Sequence, residues 1–224
     1  MIFKKTTIIF FLCLLSVFCF AASQQTSSTT AASLINEAEV LLNDSDNDMW
    51  TAAELLTWLN HGMVDIVRRT HCLEATESID LATTTLEYTI TSTYLTVKAV
   101  HYVDADSKIW ALKKGSPSSV VQNTTATIPK YWYDWGGKIR VYPTFTRTSE
   151  KITVYYITRP TAIAASANVT TPAIYDSALV LYMVAHAYRR DLQYQKYTTT
   201  MALYEAELDR ARMDLTEYPK EIVE

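Results

Sequence analysis

The sequence predicts an α+β fold, in which a helical bundle carries an inserted antiparallel β region. In residues 34–71 and 172–215, apolar residues recur at spacings of three and four, as in helices with one buried face. Between residues 75 and 160 the period is two, as in strands. The chain divides into an apolar N-terminal segment (1–22), a linker (23–33), a helical part with two early helices (34–74), the β insertion (75–160), a C-terminal helical hairpin (161–215) and a tail (216–224).

Composition indicates a globular protein. The chain has 224 residues, of which 49% are hydrophobic and 20% are charged, and this length suits one domain. The net charge of −4 argues against a surface that neutralises nucleic-acid phosphates. The 15 tyrosines and 5 tryptophans fit either an interaction surface or half-buried strands, and both interpretations stay open.

Residues 1–22 resemble a secretory signal. Lys4 and Lys5 supply the positive start, an apolar run follows, and Ala21 and Ala22 form a small-residue cleavage site. The apolar run is too short to span a bilayer comfortably as a helix. The segment is therefore either a cleaved export signal, an uncleaved apolar arm, or the product of a start codon placed too far upstream.

The first helix is expected to follow a linker with little to bury. Its buried face would consist of Leu34, Ala38, Leu41 and Leu42, and it would stop at the acidic run 43–48. Within that run three aspartates resemble a calcium loop, at positions 44, 46 and 48. The run lacks the glycine and the final glutamate that such a loop requires, so a solvated turn is expected.

The second helix begins with a clear signal. Thr51 and Glu54 form a capping box, and Trp50 can pack ahead of it. The predicted buried stripe is Leu55, Leu59, Met63 and Ile66, widened by Leu56 and Val67. His61 interrupts the apolar run and is expected at the helix surface.

The β insertion contains several short alternating runs. They are Leu86 to Ile90, Val100 to Tyr102 and Ile109 to Leu112. Two further runs meet at Gly136-Gly137, which predicts a two-residue hairpin turn, with Lys151 to Thr158 as the partner strand. The hairpin carries Tyr131, Trp132 and Trp135. This cluster could stack a sugar ring or a base, but a cross-strand aromatic ladder is favoured.

The C-terminal hairpin is expected to begin with Pro172 at the first helical position. Its first helix is apolar nearly all round and should be the buried one, whereas the second carries charges on its open side. The first predicted seam is Ile174, Ala178, Leu181, Ala185, Tyr188 and Leu192. The second predicted seam is Tyr197, Met201, Tyr204, Leu208, Ala211 and Leu215.

No catalytic motif emerges. The four histidines lack metalloprotease spacing, and the sequence has no Gly-x-Ser-x-Gly elbow, phosphate loop or dinucleotide fingerprint. Cys72 follows His71, but adjacency in sequence does not make a nucleophile and its base. We therefore expect no enzyme activity, no cofactor and no metal site.

The order of these segments resembles that of the head-to-tail adaptor (connector) proteins of tailed bacteriophages. Trp50 to Asn60 looks like their early helix, with its tryptophan, capped start and Leu-Asn end. Ile139 to Pro160 looks like their two strands, each followed by a proline. Tyr175 to Asp191 looks like their closing helix, which precedes a last amphipathic helix. The resemblance covers roughly residues 33–215.

The resemblance implies a structural protein of the virion head-tail junction. Such proteins form a homo-oligomeric ring, commonly a dodecamer, between the portal protein and the tail tube or nozzle protein. The ring extends the channel through which DNA passes without sequence-specific binding. An acidic chain suits this role, because a basic lumen would hold the DNA.

Two groups of residues are candidate partner contacts. Tyr131, Trp132 and Trp135 belong to the hairpin, and Tyr218, Ile222 and Val223 belong to the tail. Pro219 prevents the last helix from running on, so the tail is expected either to order against the portal or a neighbouring subunit or to be a frayed end with no role. The alternative function is that of an exported periplasmic or surface binding protein with an aromatic β-sheet face, which residues 1–22 would support.

Overall fold

The computed structural model describes residues 27–46, 48–82, 85–117, 128–143 and 150–216, without the side chains of 214–216. These residues form an α+β fold of four α-helices and two four-stranded sheets. The helices are α1 (Ala31–Leu42), α2 (Ala52–Thr70), α3 (Asp176–Arg190) and α4 (Tyr194–Thr216). The strands are β1 (Glu74–Asp80), β2 (Glu87–Thr89), β3 (Tyr94–Val103), β4 (Ile109–Ala111), β5 (Lys113–Lys114), β6 (Tyr131–Trp135), β7 (Lys138–Tyr142) and β8 (Lys151–Thr158).

Helix α1 begins three residues earlier than the apolar spacing predicts. Thr30 caps it by accepting a hydrogen bond from the Ser33 N–H, and Ala31 is buried. The Ala31 N–H donates to the Ala167 carbonyl at 2.9 Å, so this part of the expected linker is tied to the body. Leu41, expected on the buried face, is exposed. The buried face of the helix continues from Leu34 and Ala38 to Leu42 and leaves Leu41 to one side.

Helix α2 confirms its sequence signals. The Thr51 side chain accepts from the Glu54 N–H while the Glu54 carboxylate accepts from the Thr51 N–H, which completes the capping box. Such a cap stabilises a helix by about 1 kcal/mol. The predicted stripe and Val67 are buried, Leu56 is half-buried, and His61 is exposed as expected.

Helix α3 is the buried member of the C-terminal pair, as expected, but its predicted seam is wrong in part. Pro172 precedes a short 3-10 turn, so the α-helix starts only at Asp176. Ile174 and Leu192, at the two ends of the predicted seam, are exposed. The helix packs against α1, α2 and α4 and therefore buries more than one stripe. Its buried residues are Ala178, Leu179, Val180, Met183, Val184, Ala185 and Ala187.

Helix α4 packs on α3 through the predicted stripe, of which Tyr204, Leu208 and Ala211 are buried. The side chain of Leu215 lies outside the described residues. The turn between the two helices is centred on Leu192, which adopts a left-handed conformation with φ of 58°. The helical hairpin itself is thus present.

The first sheet has the order β1-β8-β3-β4 and is antiparallel throughout. The second has the order β2-β7-β6-β5, in which only the β5–β6 pair is parallel among the described strands. The predicted Gly136-Gly137 turn is confirmed, with φ of 62° and 73° between β6 and β7. Glycine suits both positions because L side chains are strained at positive φ.

Strand β8 corrects the expected pairing. It lies between β1 and β3 in the first sheet and does not join the hairpin, which pairs with β2 and β5 instead. Strand β1 was not predicted. Its residues are mostly polar on one face and only half-buried on the other, so its hydrophobic signal is weak.

The apolar residues form two cores. One lies among the four helices and includes Cys72 of the α2–β1 connection and Ile157 at the end of β8. The other lies between the facing sheets. It receives Val100, Tyr102 and Val154 from the first sheet and Trp132 and Ile139 from the second.

Candidate interaction surfaces

The side chains that suggested chemistry are distributed over the fold. His61 is exposed on α2, His71 ends that helix, and His101 packs on the ring of Tyr155 at 4.8 Å. His186 lies on α3. Among the described residues, no three histidine, cysteine or acidic side chains are grouped to hold a metal ion.

Cys72 is buried in the helical core, and its burial raises the pKa of its thiol. The thiolate is the nucleophilic form of cysteine, and burial in apolar surroundings disfavours it. The ring of the neighbouring His71 lies 3.0 Å from Lys98 Nζ, measured to Nδ1. The geometry therefore gives this cysteine a packing role.

The aspartate-rich run after α1 closes on itself. The Asp44 carboxylate accepts hydrogen bonds from the backbone N–H groups of Asp48, Met49 and Trp50, at 2.9 to 3.2 Å. These bonds hold the turn that leads into α2 and bring Trp50 to its buried position ahead of the cap. The carboxylate that would begin a calcium loop is thus occupied by backbone.

The aromatic hairpin separates into buried and exposed rings. Trp132 is only 1% exposed and belongs to the core between the sheets, so it cannot contact a partner in this conformation. Tyr131 is 41% exposed and Trp135 is 60% exposed. The three residues lie opposite Tyr142, Val141 and Lys138 respectively, so only the Tyr131 pair places two aromatic residues opposite each other.

Tyr131 also contributes to a pocket of about 300 Å³, which we call the basic pocket. Its apolar wall consists of Trp110, Ile128, Pro129 and Tyr131, and Lys113 and Lys130 add two positive charges. The Lys113 N–H donates to the Lys130 carbonyl at 2.9 Å, which fixes the two lysines side by side. Within the described part of the chain, neither ammonium group is in an ion pair. The spacing of these residues in the sequence gave no sign of this pocket.

A second surface combines apolar and acidic side chains around the end of α1. Glu37, Val40 and Leu41 share one face of the helix, because residues three and four apart are neighbours. Val40 is 70% and Leu41 53% exposed, and Met49 of the following loop is 56% exposed. We call these residues, together with the exposed Asp46 and Asp48, the acidic α1 surface.

A polar network fastens α4 to α2. Arg69 bonds the carboxylates of Asp65 and Glu205 at 2.6 to 2.8 Å, and Tyr204 donates to Asp65 at 2.7 Å. Burial lowers the pKa of Arg69, but the two carboxylates outweigh it and the pKa is raised. Burial and the Asp65 bond raise the pKa of Tyr204. The four-residue spacing of Asp65 and Arg69 was a signal for part of this network.

His186 lies inside a group of rings on the helices. Its ring centroid is 4.4 Å from that of Tyr182, and those of Trp58 and Tyr197 lie at 6.4 and 6.2 Å. Burial lowers the pKa of His186, and the positive charges of Arg189 and His61 lower it further. The ring is therefore held in its neutral, stacked form at neutral pH.

A shallow groove of about 490 Å³ lies on the first sheet and is lined in part by Lys98, His101 and Tyr155. The tail candidates Tyr218, Ile222 and Val223 lie outside the described residues, as does the signal-like segment 1–22. No helix among the described residues combines the length and apolar character needed to cross a bilayer.

Among the described residues, the candidate sites are exposed surfaces and shallow pockets. Such surfaces are typical of a structural protein that binds other proteins. The family model of the SU10 adaptor protein matches residues 29–221, and the chain belongs to this family of phage head-tail adaptors. The resemblance seen in the residue patterns is thereby confirmed. Membership makes the protein a structural component of a phage particle. No curated protein matches the chain.

Proposed function

We propose that the protein forms a homo-oligomeric ring at the head-tail junction, between the portal protein and the tail tube or nozzle protein. The ring extends the DNA channel and presents the surface to which the tail docks. The observation that carries this proposal is the family match, whose range 29–221 includes every helix and strand described above. We assign the protein no enzymatic role and no cofactor.

The two cores support a subunit with a helical body and a projecting β insertion. The four helices share one apolar core and would serve as the body of the subunit, as a helical bundle does. The two sheets lie between α2 and α3 in the sequence and have a core of their own, so they would project from the body as an insertion. A projecting insertion offers contact surface to a neighbouring protein without disturbing the helices.

The charges suit a channel in which DNA slides. The net charge is −4, and several basic side chains are already paired with carboxylates. Arg69 pairs with Asp65 and Glu205, Arg190 with Glu54, and Arg140 with Glu87. Guanidinium groups already paired with carboxylates neutralise few phosphates and displace few counterions from DNA, so the surface would bind DNA weakly and without sequence preference.

The exposed rings of the aromatic hairpin, Tyr131 and Trp135, would belong to an assembly surface. The alternative for such rings is a sugar site, in which carboxylates and amides converge around the aromatic face. A glycan array with the wild type and Trp135→Ala separates these roles. No glycan binding is expected, whereas specific binding abolished by Trp135→Ala, in a protein that still folds, would establish the sugar site.

Deleting residues 217–224 tests the tail. We expect the truncated protein to bind the portal or form rings less well, since Tyr218, Ile222 and Val223 would lose their contact. Unchanged ring formation and unchanged portal binding would show that the tail has no role in assembly.

The proposed function is tested most directly with the portal protein encoded by the same phage. The two proteins are expressed together, purified through a tag on the portal, and imaged by electron microscopy. A ring of this protein on one end of the portal is expected. Failure to bind the portal, together with its absence from purified virions by mass spectrometry, would refute the proposal.

A further inference from the structure

We propose that the basic pocket of one copy receives the acidic α1 surface of the next copy. The inference rests on the proposed ring and names the contact that joins its subunits. The two surfaces differ in charge but share exposed apolar groups, with Val40, Leu41 and Met49 on one and Trp110 and Tyr131 on the other. Each surface therefore carries charges opposite to those of the other around a shared apolar contact.

The basic pocket lies away from the helices, one of which carries the acidic α1 surface. Ile157 lies in the helical core, whereas β4 pairs with β3 at the other end of the sheet, level with Ile152 and Lys151 of β8. Five or six strand residues separate these levels, which places them roughly 17 to 20 Å apart. The basic pocket lies at the end remote from the helices, so its lysines need a partner from another molecule.

The charges favour this pairing. Lys113 and Lys130 project beside apolar walls without a carboxylate partner among the described residues. Asp104 lies nearby, but its carboxylate accepts the N–H groups of Asp106, Lys108 and the Trp110 indole. Glu37 and Asp46 flank the exposed apolar side chains of the other surface. Opposite charges around an apolar centre fix the register of a contact.

The pairing also has the right symmetry for a ring. A contact between two different surfaces is head-to-tail, so each copy keeps one surface free for another neighbour. Repeating this contact from copy to copy closes a ring when the rotation from one copy to the next is a whole-number fraction of a full turn. A contact between two identical surfaces would stop at a dimer.

Charge reversal provides the test, with the full chain and sedimentation velocity over a range of concentrations. Lys113→Glu with Lys130→Glu leaves both surfaces acidic, and Glu37→Lys with Asp46→Lys leaves both basic. Each double variant alone should associate at least about tenfold more weakly than the wild type, because like charges then face each other. An equal mixture should recover association, since the acidic pocket of one variant fits the basic α1 surface of the other.

Two further double variants serve as matched controls. Lys151→Glu with Arg210→Glu and Glu74→Lys with Asp80→Lys change the net charge equally at exposed sites outside both surfaces. Both should associate as the wild type does, and circular dichroism should show all four variants folded. Wild-type chains that stay monomeric, or a mixture that recovers nothing, would overturn the inference.

Other occupants give different results. If the pocket binds the portal or DNA instead, the lysine variant loses that binding and mixing restores no self-association. A ring that still forms in all variants would reject this contact but leave the proposed function standing. Absence of the protein from virions would reject the function itself.

Discussion

The helical core and the two-sheet core are held together by different forces. In the interior of a helix the backbone bonds are made within that helix, so the attachment of one helix to another depends on side chains such as Leu179, Tyr204 and Arg69. In the sheets, backbone bonds join residues far apart in sequence, for example the Thr158 N–H and the Leu73 carbonyl at the start of the β1–β8 pairing. The helical part should therefore be sensitive to side-chain packing throughout, and the sheets chiefly where a large side chain fills the space between them.

Trp132→Ala is expected to have the largest effect. It removes the largest fully buried side chain from the core between the sheets, and such truncations cost about 3–5 kcal/mol of unfolding free energy. Trp135→Ala, on the same strand but exposed, should cost less than about 1 kcal/mol. Urea unfolding at neutral pH measures both. Equal costs for the two variants would mean that burial does not distinguish the two rings.

Leu179→Ala tests the helical core. Leu179 is fully buried on α3, so we expect a loss of about 2–5 kcal/mol. Leu181, which the sequence placed on the seam, is only half-buried, and Leu181→Ala should cost less than half as much. The same urea unfolding experiments show which variant loses more unfolding free energy. A larger loss for Leu181→Ala would favour the buried seam that the spacing predicted.

Gly62→Val probes the contact of α2 with α3. A Cβ atom at position 62 would lie 3.0 Å from Tyr182 Cδ1 and 3.1 Å from Leu179 Cδ2, so the two helices approach closely here. Forcing them apart should cost about 1–3 kcal/mol. Valine has a higher helix propensity than glycine, so propensity cannot account for a loss at position 62. Ala53→Val, exposed at the start of the same helix, shows the effect of valine without the contact to α3, and an equal loss there would mean that the contact is not the cause.

The smallest effect is expected from pH at His186. Its pKa in the folded protein is lowered from 6.5, so the unfolded chain binds the proton more readily. The stability that the neutral ring contributes is present above pH 6.5 and is lost as the pH falls through the folded pKa. In His186→Gln the unfolding free energy should change less between pH 7 and pH 5 than in the wild type. An unchanged pH dependence would exclude His186 as its source.

The sequence predicted what local signals encode. The capping box at Thr51, the Gly136-Gly137 turn and the burial of α3 each depend on residues close in sequence, and the structure shows all three. The pairing of β8 with β1 and β3 joins segments with most of the β region between them, so no local pattern specified it. The same holds for the basic pocket, which forms only when β4 and β6 come together.

Candidate contacts were predicted by residue type, and burial then divided them. Trp132 and Trp135 are three residues apart, so the alternation of a strand places them on opposite faces of the sheet. Alternation does not say which of the two faces is buried. That choice depends on the facing sheet, which packs on Trp132.

One amide fastens a connection between the two cores to helix α2. Among the described elements the chain passes between them only twice, from α2 to β1 and from β8 towards α3. On the second passage the Asn60 side chain accepts the Ile163 N–H at 2.8 Å and donates to the Ile163 carbonyl at 3.2 Å, as a neighbouring strand would. A third bond, to the Leu56 carbonyl, fixes the amide to its own helix. The second passage is thereby fastened to α2 at this residue, so a displacement of the passage would act directly on that helix.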